Sequence, residues 1–168
     1  MHKGMIRKLK KGDRDAFRMF YEETSDRAFR IARSILQNDS LADDAVQESY
    51  IRVYRFRRTI DDTKSLDAWL NRIVINECYR LLERKKREFP TEHFQIQSGD
   101  ADYKDLWEAV ANLDEIHRTP IILKYVEGYT IQEISRMLAV NENTIKTRLA
   151  TGRRYLRRFL EHNEEGIQ

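Results

Sequence analysis

TIQEISRMLAVNENTIKTRLATGRRYLRRF, running from Thr130 to Phe159, decides how the chain is read, because it joins an apolar helical period, a turn and a concentrated positive face. Ile131, Ile134 and Leu138 fall at i, i+3 and i+7 and make one side of a short helix. Asn141 is placed to accept a hydrogen bond from the free N–H groups of Glu142 to Thr144, and Glu142 puts a carboxylate at the positive end of the helix dipole, so a second helix starts there. Along it Ile145, Leu149, Leu156 and Phe159 recur as the apolar stripe, leaving Asn143, Thr144, Lys146, Thr147, Arg148, Ala150, Thr151 and Arg154 to the other faces. Two short helices joined by Ala139 to Asn141 give the pattern of a helix-turn-helix. An amphipathic hairpin with a solvated basic face is the alternative. The signs of the charges argue against it: no carboxylate occurs from Asn143 to Leu160, while Lys146, Arg148, Arg153, Arg154, Arg157 and Arg158 are all cationic. A solvated helix usually mixes signs to gain i,i+4 pairs, whereas this one repels itself and calls for an anion.

The 168 residues suffice for one domain or two small ones. A charged fraction of 35% against 40% apolar would suggest disorder if the apolar residues were scattered, but they are periodic, so the chain reads as folded and helix-rich. Its single cysteine, Cys78, excludes an intrachain disulfide framework and fits a reducing interior. No run approaches the ~20 apolar residues of a membrane span, and the basic start lacks the apolar core of a signal peptide, so a cytoplasmic protein is expected. The net charge of +3 points only mildly to a polyanion partner, which leaves the distribution of charge to decide.

Lys3 to Lys11 is a basic lead-in, after which Asp13 is placed to cap a helix containing Ala16, Phe17, Phe20 and Tyr21 that continues through Ile31 and Ile35 to Leu36. Asp39 or Ser40 can cap the next helix, whose apolar side is Leu41, Ala42, Ala45, Val46, Ser49, Tyr50 and Val53. On its outer side Asp44, Gln47 and Glu48 lie at i, i+3 and i+4, which by itself describes no more than a solvated face. Arg52, Arg55, Arg57 and Arg58 then alternate with Tyr54 and Phe56, the mixture of cations and rings expected where phosphates are held and bases stacked. Ser65 is placed to cap a long helix through Trp69 and Leu82, with Asn71, Arg72, Asn76, Arg80 and Arg84 outward and a basic run at its end. Pro90 and an aperiodic stretch make residues 89–104 a linker, able to span up to ~50 Å when extended. A second module opens with Leu106, Trp107, Val110 and Leu113, continues in a helix near Arg118 to Val126, and stops at Gly128 before Thr130. The expected fold is thus all-α: two small helical domains, 1–88 and 105–168, joined by a flexible linker over 89–104, with the C-terminal domain a helix-turn-helix.

Taken in order, these segments resemble the extracytoplasmic-function (ECF) sigma factors, the small promoter-specificity subunits of bacterial RNA polymerase. DDAVQESYIRVYR resembles the helix that binds core polymerase, SLDAWLNRIVINECYRLLERKKR the helix that engages the −10 promoter element, and LDEIHRTPIILKYVEGYTIQEISRMLAVNENTIKTRLATGRRYL the −35-binding domain. The resemblance implies that Asp44, Gln47 and Glu48, with Tyr50 and Arg52, dock on polymerase. It implies further that Ile60, Lys64, Trp69, Arg72, Asn76, Arg80 and Arg84 meet the non-template strand at −10. Asn76 matches the residue expected near a flipped base. Asn143, Thr144, Lys146, Thr147, Arg148, Ala150, Thr151 and Arg154 are the implied −35 contacts, Arg148 as packing or phosphate contact. Core RNA polymerase and promoter DNA are the implied partners, together with an anti-sigma factor of the kind that, in the family, is often membrane-anchored.

Departures from the family pattern fall at Arg80, where Asp is frequent, at Glu83, where Arg is, at Ser135 in place of Ala, and at Ala139, where the turn commonly has Gly. Ala in a left-handed turn costs on the order of 1 kcal/mol. A DNA-binding regulator that never joins polymerase would account for the C-terminal motif alone. A nucleic-acid enzyme is not supported: His2, His93, His117 and His162 are scattered, Cys78 lies within a helix, and no Gly-rich phosphate loop occurs. No catalytic residue, metal or cofactor is expected.

Overall fold

A computed structural model describes residues 3–61, 65–88 and 104–165, in which every regular element is helical. The chain divides into two compact units, Met1–Glu92 and His93–Gln168, in keeping with the expected all-α, two-domain class. Lys64 and residues 89–103 of the expected linker lie outside the described residues, and Lys104 opens a helix.

The first unit holds α1 (Lys3–Lys11), α2 (Arg14–Leu36), α3 (Asp39–Phe56), a single 3₁₀ turn (Arg57–Thr59) and α4 (Leu66–Glu88). The basic lead-in is therefore itself a helix. Isolated helices this short are marginal in water, and α1 exists because Ile6 and Leu9, three residues apart, are both buried on α2 and the 3₁₀ turn. Asp13 caps α2 as expected, its carboxylate accepting from the Ala16 N–H at 2.8 Å. The cap of α3 is neither Asp39 nor Ser40 but Asn38, which accepts from the Leu41 N–H at 2.9 Å. The chain reaches it through Gln37 in the left-handed region at φ 53°. Ser65 caps α4, accepting from the Ala68 N–H at 3.3 Å. Helices α2, α3 and α4 pack on one another around Phe20, Ile31, Ile35, Leu70, Val74 and Ile75, each almost wholly buried and each contributing about 1.5–3 kcal/mol.

The second unit holds α5 (Lys104–Asn112), α6 (Glu115–Ile121), a π turn (Ile122–Val126), α7 (Ile131–Leu138) and α8 (Glu142–Glu165). The helix expected from Arg118 starts earlier, at an Asp114 cap that accepts from the His117 N–H at 3.2 Å. Pro120 sits within it, the Ile122 N–H still reaching four residues back to the Arg118 carbonyl, and the following turn is wider, with Glu127 donating five residues back to the Ile122 carbonyl at 3.1 Å. Gly128, at φ 76°, then stops it. Helices α5, α6 and α7 all pack on α8. The buried stripe of α7 is Ile134 and Met137, with Ile131 and Leu138 half-covered at its edges. On α8 it is Ile145, Leu149 and Gly152, while Leu156 and Phe159 are only half-covered. Gly152 is there for closeness: a Cβ on it would lie 3.0 Å from Ile121 Cγ1.

Candidate nucleic-acid interface

Local chemistry fixes the two helices of the C-terminal motif. Thr130 and Glu133 form a reciprocal capping box: Thr130 Oγ1 accepts from the Glu133 N–H at 3.2 Å, and Glu133 Oε2 accepts from the Thr130 N–H at 2.9 Å and its hydroxyl at 2.7 Å. Those two bonds from Thr130 hold the Glu133 carboxyl below its ordinary range. Ala139 does occupy the left-handed turn, at φ 54° and ψ 37°. Ser135 helps to hold it there, donating its hydroxyl to the Val140 carbonyl at 2.6 Å, a bond worth ~1 kcal/mol and similar in size to the cost of the turn. Asn141 Oδ1 accepts from the Thr144 N–H at 2.8 Å and starts α8 as expected.

With α8 so started, Asn143, Lys146, Thr147, Ala150, Thr151 and Arg154 fall at i, i+3, i+4, i+7, i+8 and i+11, on one stripe opposite the buried Ile145, Leu149 and Gly152. Asn143, Lys146, Thr147 and Arg154 are exposed, and Ala150 and Thr151 half-exposed. Thr144 and Arg148 stand at the side of that stripe, half-buried, and the Thr144 hydroxyl is spent on Asn141 at 3.0 Å. A sequence-predicted set of eight therefore resolves into six on one face and two beside it. Arg153 turns away from the stripe and donates to the Tyr125 hydroxyl at 3.1 Å.

In the first unit, α3 directs Asp43, Asp44 and Gln47 to solvent with Glu48 half-exposed, and buries Ala42, Ala45, Val46 and Ser49. Tyr50 does not join that outer face. It is 5% exposed, set edge-on to Phe17, Phe20 and Tyr21, with its hydroxyl 2.6 Å from Thr24 Oγ1, and burial pushes it up to about 12. Tyr50 thus braces the helix from beneath. Ile60 is similarly a core residue, 4% exposed, and offers no surface to a base in this conformation. Tyr54 and Phe56 are exposed, and the Arg57 guanidinium lies 4.3 Å over the Tyr54 ring.

Along α4, Arg72, Asn76, Arg80 and Arg84 are exposed at successive intervals of four, with Trp69 half-buried at the foot of the row. Asn71, expected outward, is 2% exposed. Sequence reasoning missed Glu77. Its carboxylate is 3% exposed and takes Arg52 Nε from α3 at 2.6 Å and Arg80 Nε at 2.7 Å, while Arg52 also lies 3.5 Å from Glu48. One buried charge thus ties the acidic face of α3 to the cationic row of α4. Nothing in helical periodicity marks such a pair, since Glu77 reads as one more polar residue.

Among the described residues no group of His, Cys, Asp and Glu could hold a metal ion, and no helix is long and apolar enough to cross a membrane. Burial pushes the Cys78 thiol up to about 12, with the Glu77 charge adding to the effect.

The geometry has counterparts among known proteins. Sigma-70 region 2 matches residues 20–88, and Sigma-70 region 4 matches residues 103–156. The ECF RNA polymerase sigma factor SigM of Mycobacterium tuberculosis is 30% identical over 93% of this chain and 83% of its own length. The chain belongs to the ECF sigma factors. SigW of Bacillus subtilis is 28% identical over 95% of this sigma factor and 97% of SigW. Among solved structures, the sigma factor RpoE of Bartonella quintana, crystallised with the anti-sigma factor NepR, shares the fold with a TM-score of 0.76 at 23% identity, covering 86% of this chain and 96% of RpoE. CnrH, solved with the cytosolic domain of CnrY, gives a TM-score of 0.75 at 19% identity over 95% and 97% of the two chains. As a member of this family the chain is a transcription initiation factor, the subunit that joins core RNA polymerase and confers promoter choice.

Proposed function

We propose that the two units divide the work of initiation by residue as follows. Asp44, Gln47 and Glu48 on α3 dock on core RNA polymerase, with Arg52 held beside them by Glu77. The α4 row of Trp69, Arg72, Asn76, Arg80 and Arg84 receives the unpaired non-template strand at −10, Asn76 beside a flipped base and Arg80 tuned by its bond to Glu77. Lys64, preceding α4, joins that set. The α8 stripe from Asn143 to Arg154 enters the major groove at −35. Base unstacking costs a few kcal/mol, which the α4 contacts offset. The observation that carries this reading is the separation of sign: an acidic outer face on α3, and a stripe on α8 with no carboxylate between Asn143 and Leu160.

The protein does no bond chemistry of its own and works in the cytoplasm. An anti-sigma factor is its regulatory partner, a reading supported by the crystallisation of RpoE with the anti-sigma factor NepR. In vitro transcription with core polymerase on randomised promoters tests the whole reading. Promoter-selective starts that need both elements are expected. A chain that binds duplex DNA but gives core enzyme no selective start would be a regulator that acts outside polymerase.

A further inference from the structure

Glu77 stands where an apolar side chain would serve the core. Its side chain is 3% exposed, and its neighbours Val74, Ile75 and Cys78 are wholly buried. A carboxylate taken out of water must be paired, and exchanging a buried ionic set for apolar groups of the same volume is often neutral or stabilising. Stability alone therefore gives no reason for a charge at this position. Orientation does. The two oxygens are divided between two helices: Oε1 lies 2.6 Å from Arg52 Nε on α3, and Oε2 accepts from Arg80 Nε at 2.7 Å. Engaged from both sides, the carboxylate is a fixed point rather than a mobile counter-ion.

Arg80 is thereby aimed. Its Nε is turned to Glu77, its side chain stays 48% exposed, and neither Nη takes a partner among the described residues. A guanidinium is a planar fork, so fixing Nε also fixes the plane in which the two Nη groups lie. They are left to the exposed row of α4, where Asn76 stands one turn before Arg80 and Arg84 one turn after. We propose that Glu77 is a positioning residue: braced by Arg52, it presents the Arg80 Nη pair to one phosphate of the non-template strand, next to the base taken by Asn76. This rests on the α4 assignment above. A phosphate suits the fork better than a base, because cations repeated along a row track a strand's backbone, whereas unpaired bases are held by stacking, and the ring of this row, Trp69, lies at its foot. A long side chain that is already oriented gives up little rotamer freedom on binding, an advantage equivalent to roughly two- to tenfold in affinity.

The test uses full-length protein assembled with core polymerase and a forked fragment that lacks a −35 element and whose single-stranded −10 segment comes from a promoter selected out of a randomised pool. Arg80→Ala should weaken binding and lower the log–log salt slope by about 0.7, one phosphate on a single strand. Glu77→Gln supplies a test of sign. It removes a negative charge beside a polyanion, so a Glu77 that only set the local charge would, once replaced, leave affinity raised. A positioning Glu77 requires the reverse, a fall of roughly two- to tenfold, and no further fall when Arg80 is already Ala. Arg80→Lys, at an exposed position, keeps the charge without the fork and should resemble Arg80→Ala. The proposal is overturned by a Glu77→Gln holoenzyme that binds as tightly as wild type or more so, by an equal fall in the Arg80→Ala background, or by Arg80→Lys binding like wild type. An Arg80→Ala loss confined to one neighbouring base overturns the choice of a phosphate. If Arg80→Ala itself binds like wild type, the α4 assignment of Arg80 falls and the positioning role falls with it; weak binding by Arg80→Ala beside unweakened binding by Glu77→Gln removes the positioning role alone.

Discussion

Glu77 shows how one side chain can bind two surfaces into a single device. Removing its carboxylate leaves Arg52 and Arg80 facing the vacated site across α3 and α4, with only Glu48, 3.5 Å from Arg52, still beside them. Because both guanidinium groups are 39% to 48% exposed, water recovers part of the loss. Glu77→Ala is expected to cost the first unit about 2–3 kcal/mol. Trp69 fluorescence in a Trp107→Phe background, followed through urea, measures this, since each unit holds one tryptophan. Glu133 yields a second residue-scale expectation, governed by pH. Its carboxyl is held low in the folded chain by Thr130, so its stabilising effect is complete above the unfolded value of about 4.3 and disappears as pH falls through the lower folded value. Acid titration of the second unit, read by Trp107 with Trp69→Phe, should show a component that Glu133→Gln lacks.

At the scale of the element, α8 carries contact on one side and closeness on the other. Lys146→Ala and Thr147→Ala remove exposed groups from the contact side, and each should relax −35 discrimination by about 1–3 kcal/mol. Competition binding against altered −35 sequences measures it, and affinity for core polymerase should not change. On the inner side Gly152→Val drives branched carbons into Ile121, for an expected loss of about 1–3 kcal/mol in the second unit. Most elements were legible beforehand, because apolar periodicity and caps such as Asp13, Ser65, Thr130 and Asn141 act over a single turn. What escaped was set by distance in space. Helix α1 has only Ile6 and Leu9 to announce a period. Asn38, Asp39 and Ser40 are chemically equivalent as caps until the backbone chooses one. The inward turn of Ile60 and Asn71 depends on neighbours far along the chain, whereas Tyr50 already fell on the apolar side of α3 by its spacing. The single stripe of Asn143, Lys146, Thr147, Ala150, Thr151 and Arg154, by contrast, follows from helical spacing and was open to inspection.

Across the whole molecule, opposite charges are assigned to different tasks. Asp44→Arg places a cation on the acidic α3 face at an exposed position that forms no ion pair among the described residues, unlike Glu48 with its Arg52 neighbour. Affinity for core polymerase should fall tenfold or more, equivalent to at least ~1.4 kcal/mol, with circular dichroism and duplex −35 binding preserved. A pull-down of core enzyme alongside a −35 duplex titration checks both halves. The lone cysteine has a practical consequence. Because Cys78 is wholly buried and its thiol is pushed up to about 12, a maleimide dye will pass it over at neutral pH. A reactive thiol can then be introduced at an exposed site outside the contact faces, such as Met19 or Gln132, without mutating Cys78, and the native chain becomes a background for spectroscopic rulers that follow initiation in real time.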